Sequence, residues 1–140
     1  MIVQKRSWNS AFRYQALLAL GQRTELERTF GLLRMAGFAP LALKGAWLSR
    51  YAYPHAALRP MRDIDLLLDS DSVVPAFARL EANGYHLIEP PELPLAELVR
   101  TDKHLPPLLS PGGVVVELHH RLWEPNGRLD HASPAMIDAA

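Results

Sequence analysis

Two aspartates in the run Asp63-Ile64-Asp65 are the first residues of this sequence whose type and spacing could support chemistry. They lead into the apolar run Leu66-Leu67-Leu68, which is typical of a strand buried in a sheet. Because side chains alternate along a strand, both carboxylates would project from one face. Neighbouring carboxylates repel each other unless a cation neutralises them, and magnesium prefers such oxygen ligands. The alternative, favoured for so short a motif taken alone, is that both aspartates flank a turn and face water.

A second strand could add a third carboxylate to this pair. The run from Val114 to His119 is the clearest strand pattern in the chain, and Glu117 lies in its middle. A carboxylate there is costly to bury without a partner. If the two strands are neighbours, three carboxylates could hold magnesium, which would bind a nucleotide triphosphate and activate an attacking hydroxyl. The alternative is that Glu117 forms a salt bridge with one of three cations: Lys44, Arg59 or Arg62.

Lys44, Gly45 and Arg59 are the candidates for contacts with phosphate. Lys44-Gly45 lies between a predicted strand and a predicted helix, where backbone amides attract phosphate and lysine adds a mobile charge. The flanking glycines and the following Ser/Thr of a P-loop are missing. A turn lysine and glycine with no ligand is therefore the alternative. Arg59 could grip a triphosphate or simply neutralise the aspartates, and the sequence leaves both open.

The histidines near the end of the sequence have different predicted roles. His119 shares the face of Glu117 and could orient it, contact a phosphate or help to move a proton. His120 points to the other face and is predicted to be structural, whereas the pattern assigns no place to His104. The sequence argues against zinc, because adjacent histidines diverge on a strand and there is no cysteine.

Periodicity and turn residues predict an alternation of helices and strands along the whole chain. Thr24 followed by Glu27 resembles a capping box that opens a second helix after Gly21. The fold class predicted is α/β (α+β), a small mixed β-sheet with helices packed mainly on one face. The predicted helices are 7–20, 24–37, 46–53, 73–83 and 95–101, and the predicted strands are 40–43, 63–68, 85–88, 104–109 (an edge strand) and 114–119.

Composition narrows the class of protein. A chain of 140 residues is one domain or a piece of one, and its 15 basic and 15 acidic residues give no field that would attract nucleic acid. The sequence has no cysteine, no apolar run long enough to span a bilayer and no secretion signal. A cytoplasmic protein with no membrane contact is therefore predicted.

Several of these motifs, taken in order, resemble one family. From about Leu41 to Leu122 the chain is similar to the uncharacterised nucleotidyltransferase-like family of the DNA polymerase β superfamily. The motifs that carry the resemblance are Leu43-Lys44-Gly45, Tyr53-Pro54, Arg59, Asp63-Ile64-Asp65-Leu66-Leu67, Gly84-Tyr85 and Glu117-Leu118-His119.

The resemblance implies a polymerase-β-like core and Mg²⁺-dependent transfer of a nucleoside monophosphate from an NTP, with ATP the expected donor, to an unknown acceptor. Asp63 and Asp65 match the superfamily's paired metal ligands, and Glu117 matches a third carboxylate that is commonly Asp. Lys44-Gly45 stands where the superfamily has a Gly-Ser signature. The alternative is a non-catalytic module of the same fold that acts through a partner protein. The expected division is a helical segment at 1–38, the core at 39–123 and the start of a C-terminal region at 124–140.

Overall fold

The computed structural model describes residues 2–43 and 62–123, with side chains described from residue 10 onward. Within these residues helices and strands alternate, which confirms the predicted α+β class. The helices are α1 (Ile2–Met35), α2 (Val73–Glu81) and α3 (Leu95–Thr101), and the strands are β1 (Leu41–Ala42), β2 (Asp63–Leu67), β3 (His86–Leu87), β4 (Leu108–Leu109) and β5 (Val115–His119). The predicted helix 46–53 lies outside the described residues. The division of the chain into three segments stays a prediction.

The five strands form one mixed sheet in the order β1-β2-β5-β4-β3. Strands β2 and β5 run parallel, whereas the other neighbouring pairs are antiparallel. The predicted hairpin of β4 and β5 is confirmed. The prediction that the 104–109 strand lies at an edge is wrong, because β4 pairs with β5 on one side and β3 on the other. Pro106 and Pro107 precede the paired residues, so they shorten the strand without removing its ladder donors.

The main core lies on the face of the sheet that α1 and α2 cover. Ile64 lies opposite Val116 in the register of β2 and β5, and Leu66 lies opposite Leu118. These side chains are fully buried beneath residues of the two helices. The helix residues in this core include Leu26, Leu33, Val73, Ala76, Phe77 and Leu80. The other face of β2 and β5 is therefore left for the polar residues.

Helix α1 also makes a polar contact with the segment that leads into β3. The hydroxyl groups of Thr29 and Tyr85 lie 2.9 Å apart, and both side chains are buried. The Thr29 hydroxyl donates a hydrogen bond to the backbone carbonyl of Glu25 at 2.7 Å. Burial raises the pKa of Tyr85, so its hydroxyl stays protonated and available as a donor.

The prediction of two separate helices in the first 37 residues is wrong, because α1 is continuous through Gly21. Thr24 does not cap a helix. Its hydroxyl donates to the backbone carbonyl of Leu20 at 3.0 Å, and Glu27 pairs with Arg23 at 3.1 Å on the exposed side. The helix ends at Met35, and the chain turns away from it at Gly37, the predicted end, with a left-handed φ of 91°. No helix in the described part of the chain is long and apolar enough to cross a membrane.

Helix α2 starts at the predicted cluster of capping residues. The Asp69 carboxylate accepts hydrogen bonds from the backbone N–H of Ser72 at 2.8 Å and from its hydroxyl at 2.7 Å. These bonds lower the pKa of Asp69. The chain leaves the helix through Gly84, whose φ is 86°, and the predicted α3 is confirmed from Leu95 to Thr101.

The continuity of α1 is tested by two glycine substitutions. Gly21 is an exposed position inside the helix, and a Cβ there would meet nothing within 4 Å. Gly21→Ala is therefore expected to raise the free energy of unfolding by up to about 1 kcal/mol, because alanine favours helix. Gly37→Ala is the matched control and is expected to lower it, since φ is positive there. Urea denaturation followed by circular dichroism measures both, and a destabilised Gly21→Ala variant would contradict a continuous helix.

Candidate functional site

The parallel pairing of β2 and β5 places two carboxylates side by side on the face opposite the main core. Asp65 lies directly opposite Glu117 in the register. Because side chains alternate along both strands, Asp63 and His119 project from the same face as this pair. The condition under which the carboxylates could meet, that the two strands are neighbours, is therefore fulfilled.

A histidine joins the two carboxylates. His119 Nε2 lies 3.1 Å from Asp65 Oδ1 and 3.4 Å from Glu117 Oε2. The three residues form a group whose potential ligand atoms all lie within 4.8 Å of one another. His119 is only 3% exposed and Asp65 only 7% exposed, whereas Glu117 is partly open to solvent. One imidazole nitrogen therefore faces two carboxylates at the boundary between the protein interior and solvent.

These contacts shift the protonation of His119 and Glu117 in opposite directions. Burial disfavours the imidazolium of His119, but hydrogen bonds and charge attraction from Asp65 and Glu117 outweigh it and raise the pKa of His119. The hydrogen bond from His119 is the main cause that lowers the pKa of Glu117, against the opposing effect of burial. When His119 is protonated, it therefore places one positive charge beside the two carboxylates.

The pKa shifts define the pH range in which this group stabilises the fold. The pKa of His119 is raised above 6.5, so its contribution is complete below about pH 6.5 and is lost as pH rises through the folded-state pKa. The pKa of Glu117 is lowered below 4.5, so its contribution is complete above about pH 4.5 and is lost as pH falls through its folded-state pKa. Both residues therefore contribute fully to the stability of the fold between about pH 4.5 and pH 6.5.

His104, which the sequence pattern left without a place, belongs to this neighbourhood. It pairs with His119 through an isolated β-bridge, and the centroids of the two rings are 5.0 Å apart. Its Nδ1 lies 3.0 Å from the backbone carbonyl of Leu105. The register of β4 and β5, continued without interruption, would instead have paired His104 with His120. One extra residue on the His104 side of the ladder, around Pro106 and Pro107, shifts the pairing to His119.

His120 lies away from the carboxylates. Its Nε2 is 3.0 Å from the backbone carbonyl of Val99 on α3, and the residue is buried. Burial lowers the pKa of His120. These contacts support the structural role predicted for it.

Of the remaining predicted site residues, the structure describes only Asp63. Asp63 begins β2 and pairs with Val115, and it is not a member of the three-residue group. Lys44, Gly45 and Arg59 lie outside the described residues, so their contacts with phosphate stay predictions. Sequence reasoning placed His119 beside Glu117 but not in contact with both carboxylates, because only the register of β2 and β5 supplies that information.

The distances within the group fit a divalent metal ion. Ions of this kind bind carboxylate oxygen and imidazole nitrogen at about 2.0–2.2 Å, so ligands at adjacent positions of an octahedron lie about 3 Å apart. The separations of 3.1 and 3.4 Å between His119 Nε2 and the two oxygens are close to that spacing. An ion would also replace the positive charge that His119 supplies when protonated. Asp65 and Glu117, with His119 beside them, are thus the residues that could hold a metal.

The two adjacent histidines are expected to titrate on opposite sides of the ordinary histidine value. The pKa of His119 should lie above 6.5 because of its carboxylate partners, and that of His120 below 6.5 because of its burial. Ring-proton NMR across pH 4–9 on the metal-free protein would measure both values. Asp65→Asn should lower the pKa of His119 and leave that of His120 nearly unchanged. A His119 pKa below that of His120 would contradict the described contacts.

Comparison with known proteins agrees with the geometry. A family model described as an uncharacterised nucleotidyltransferase matches residues 3–140, a longer stretch than the resemblance read from the motifs. Comparisons with curated proteins and with solved structures gave no match. The match includes α1, the sheet and the group formed by Asp65, Glu117 and His119. The chain therefore belongs to the uncharacterised nucleotidyltransferase family.

Proposed function

We propose that this protein transfers a nucleoside monophosphate from an NTP, with ATP the expected donor, to an acceptor. The observation that carries the proposal is the convergence of Asp65, Glu117 and His119 on two adjacent parallel strands, in a chain of a nucleotidyltransferase family. The reaction requires a divalent ion, and Mg²⁺ is the one that the sequence predicts. Catalytic and metal-binding roles are proposed for Asp63, Asp65 and Glu117.

The proposed reaction divides its work among these residues. Asp65 and Glu117 would hold the metal, which would supply charge to neutralise the phosphates and to lower the pKa of the acceptor hydroxyl. An oxygen of the acceptor forms a bond to the α-phosphorus, and the bond from that phosphorus to the β-bridging oxygen breaks. Pyrophosphate leaves with the electron pair, and the acceptor's proton passes to solvent.

Three further residues have proposed roles in binding the triphosphate. Lys44 and Arg59 are positively charged and precede the first carboxylate in the sequence, so we assign them to the β- and γ-phosphates. Gly45 would let the triphosphate approach the backbone closely. We assign His119 a place beside both the metal and the substrate. A cytoplasmic location, where NTPs are abundant, belongs to the same proposal.

One observation favours a second function. His119, when protonated, places one positive charge beside Asp65 and Glu117, so part of the carboxylate charge is compensated without any metal. A non-catalytic module that keeps the fold and acts through a partner protein would need nothing more. The superfamily's Gly-Ser signature, replaced here by Lys44-Gly45, supports the same alternative. The two functions differ in whether the folded protein binds NTP in a metal-dependent way.

Substitution of the carboxylates separates the two functions. Asp65→Asn and Glu117→Gln are expected to weaken metal-dependent ATP binding and to slow transfer by at least about 100-fold, because each removes a ligand charge. Calorimetry with ATP and Mg²⁺ or Mn²⁺ measures binding, and labelled ATP with candidate acceptors measures transfer. Glu81→Gln, at an exposed carboxylate on α2, is the matched control.

The outcome is read only from variants whose circular dichroism matches that of the unmodified protein. Unchanged metal-dependent ATP binding in the Glu117→Gln variant would contradict the proposed site. If the unmodified, folded protein bound no ATP with either ion, the non-catalytic function would be favoured.

A further inference from the structure

The candidate metal site found in the structure contains a histidine nitrogen. The three carboxylates predicted from the sequence would offer only oxygen ligands. His119 Nε2 lies 3.1 Å from Asp65 Oδ1 and 3.4 Å from Glu117 Oε2. The side chain is buried and directed at both carboxylates. An ion held by Asp65 and Glu117 would therefore have this nitrogen within its coordination shell.

The surroundings of His119 hold its ring in this orientation. The ring of His104 packs against that of His119 at an interplanar angle of 57°, and a β-bridge links the two residues. The backbone N–H of Leu105 donates to the carbonyl of Leu118 at 2.9 Å, which fixes the strand just before His119. His104 Nδ1 is itself next to the carbonyl of Leu105. His104 thus lies against the ring of His119 on the strand paired with it.

The chemistry of the donors decides which ion suits such a set. Mg²⁺ is a hard ion that keeps oxygen ligands and dehydrates reluctantly. Among the divalent first-row transition ions, affinity for sites with nitrogen ligands is lowest for Mn²⁺ and rises along the series, and imidazole is a common ligand of the later members. Mn²⁺ is the member of that series that, like Mg²⁺, suits carboxylate and water oxygens, as a site that must hold a triphosphate requires.

We propose that the site takes a first-row transition ion of the Mn²⁺ class in preference to Mg²⁺, with His119 Nε2 as a ligand beside Asp65 and Glu117. This rests on the proposed function only in assuming that Asp65 and Glu117 hold a divalent ion. It goes further in assigning His119 to the ion itself and in making His119 the residue that determines which ion is bound.

Pulsed electron paramagnetic resonance on the unmodified protein with Mn²⁺ tests the ligand without any substitution. Directly bound imidazole gives a ¹⁴N coupling to the manganese spin, and this coupling is the expected result. The ratio of Mn²⁺ to Mg²⁺ affinity is measured in the same samples by displacement of bound Mn²⁺ with Mg²⁺. At least about a tenfold preference for Mn²⁺ is expected.

Two variants assign the nitrogen. His119→Gln places an amide oxygen near the position of Nε2, so it should abolish the ¹⁴N coupling and reduce the Mn²⁺ preference while Mg²⁺ still binds. His86→Gln is the matched control, since His86 is an exposed histidine on β3, and it should change neither measurement. If His119→Gln fails to fold, the absence of a ¹⁴N coupling or of an ion preference in the unmodified protein would still overturn the proposal.

The outcomes separate this inference from the proposed function. Binding of Mn²⁺ without a ¹⁴N coupling, or equal affinities for the two ions, would overturn the role of His119 and leave a metal-dependent transferase intact. A coupling that persists in His119→Gln would overturn it as well. If neither ion bound the folded protein, both the inference and the proposed metal site would be wrong.

Discussion

The parallel pairing of β2 and β5 is the constraint on which the rest of the site depends. Two apolar pairs, Ile64 with Val116 and Leu66 with Leu118, are fully buried on the main-core face of the sheet. A slip of one residue would turn these side chains away from the core and bring charged ones into it, so the register is strongly fixed. In this register Asp65 lies beside Glu117 on the opposite face. The apolar core therefore determines the face of the sheet on which the carboxylates lie.

This enforced proximity creates an electrostatic requirement that some cation must meet. Two partly desolvated carboxylates on adjacent strands destabilise the fold unless positive charge lies between them. His119, two residues beyond Glu117 on the same strand, supplies it in the metal-free protein. The raised pKa of His119 and the lowered pKa of Glu117 are two expressions of that one interaction. A metal ion bound by Asp65 and Glu117 would meet the same requirement.

Much of this arrangement could be predicted from local pattern. Alternation along an apolar strand placed Glu117 and His119 on one face, and the turn at 110–113 predicted the hairpin correctly. The continuity of α1 could not be predicted in this way. Gly21 is a helix breaker by propensity, but packing of the later turns through Leu26 and Leu33 outweighs one exposed glycine. The position of His104 beside His119 could not be predicted either, because it depends on a one-residue shift in the ladder next to two prolines.

A crystal grown with Mn²⁺ and a non-hydrolysable NTP analogue tests the central claim most directly, through the anomalous signal of manganese. The account predicts an anomalous peak within about 2.0–2.5 Å of carboxylate oxygens of both Asp65 and Glu117, with the triphosphate bound to the same ion. A peak elsewhere, or a nucleotide bound with no ion between these two residues, would contradict it.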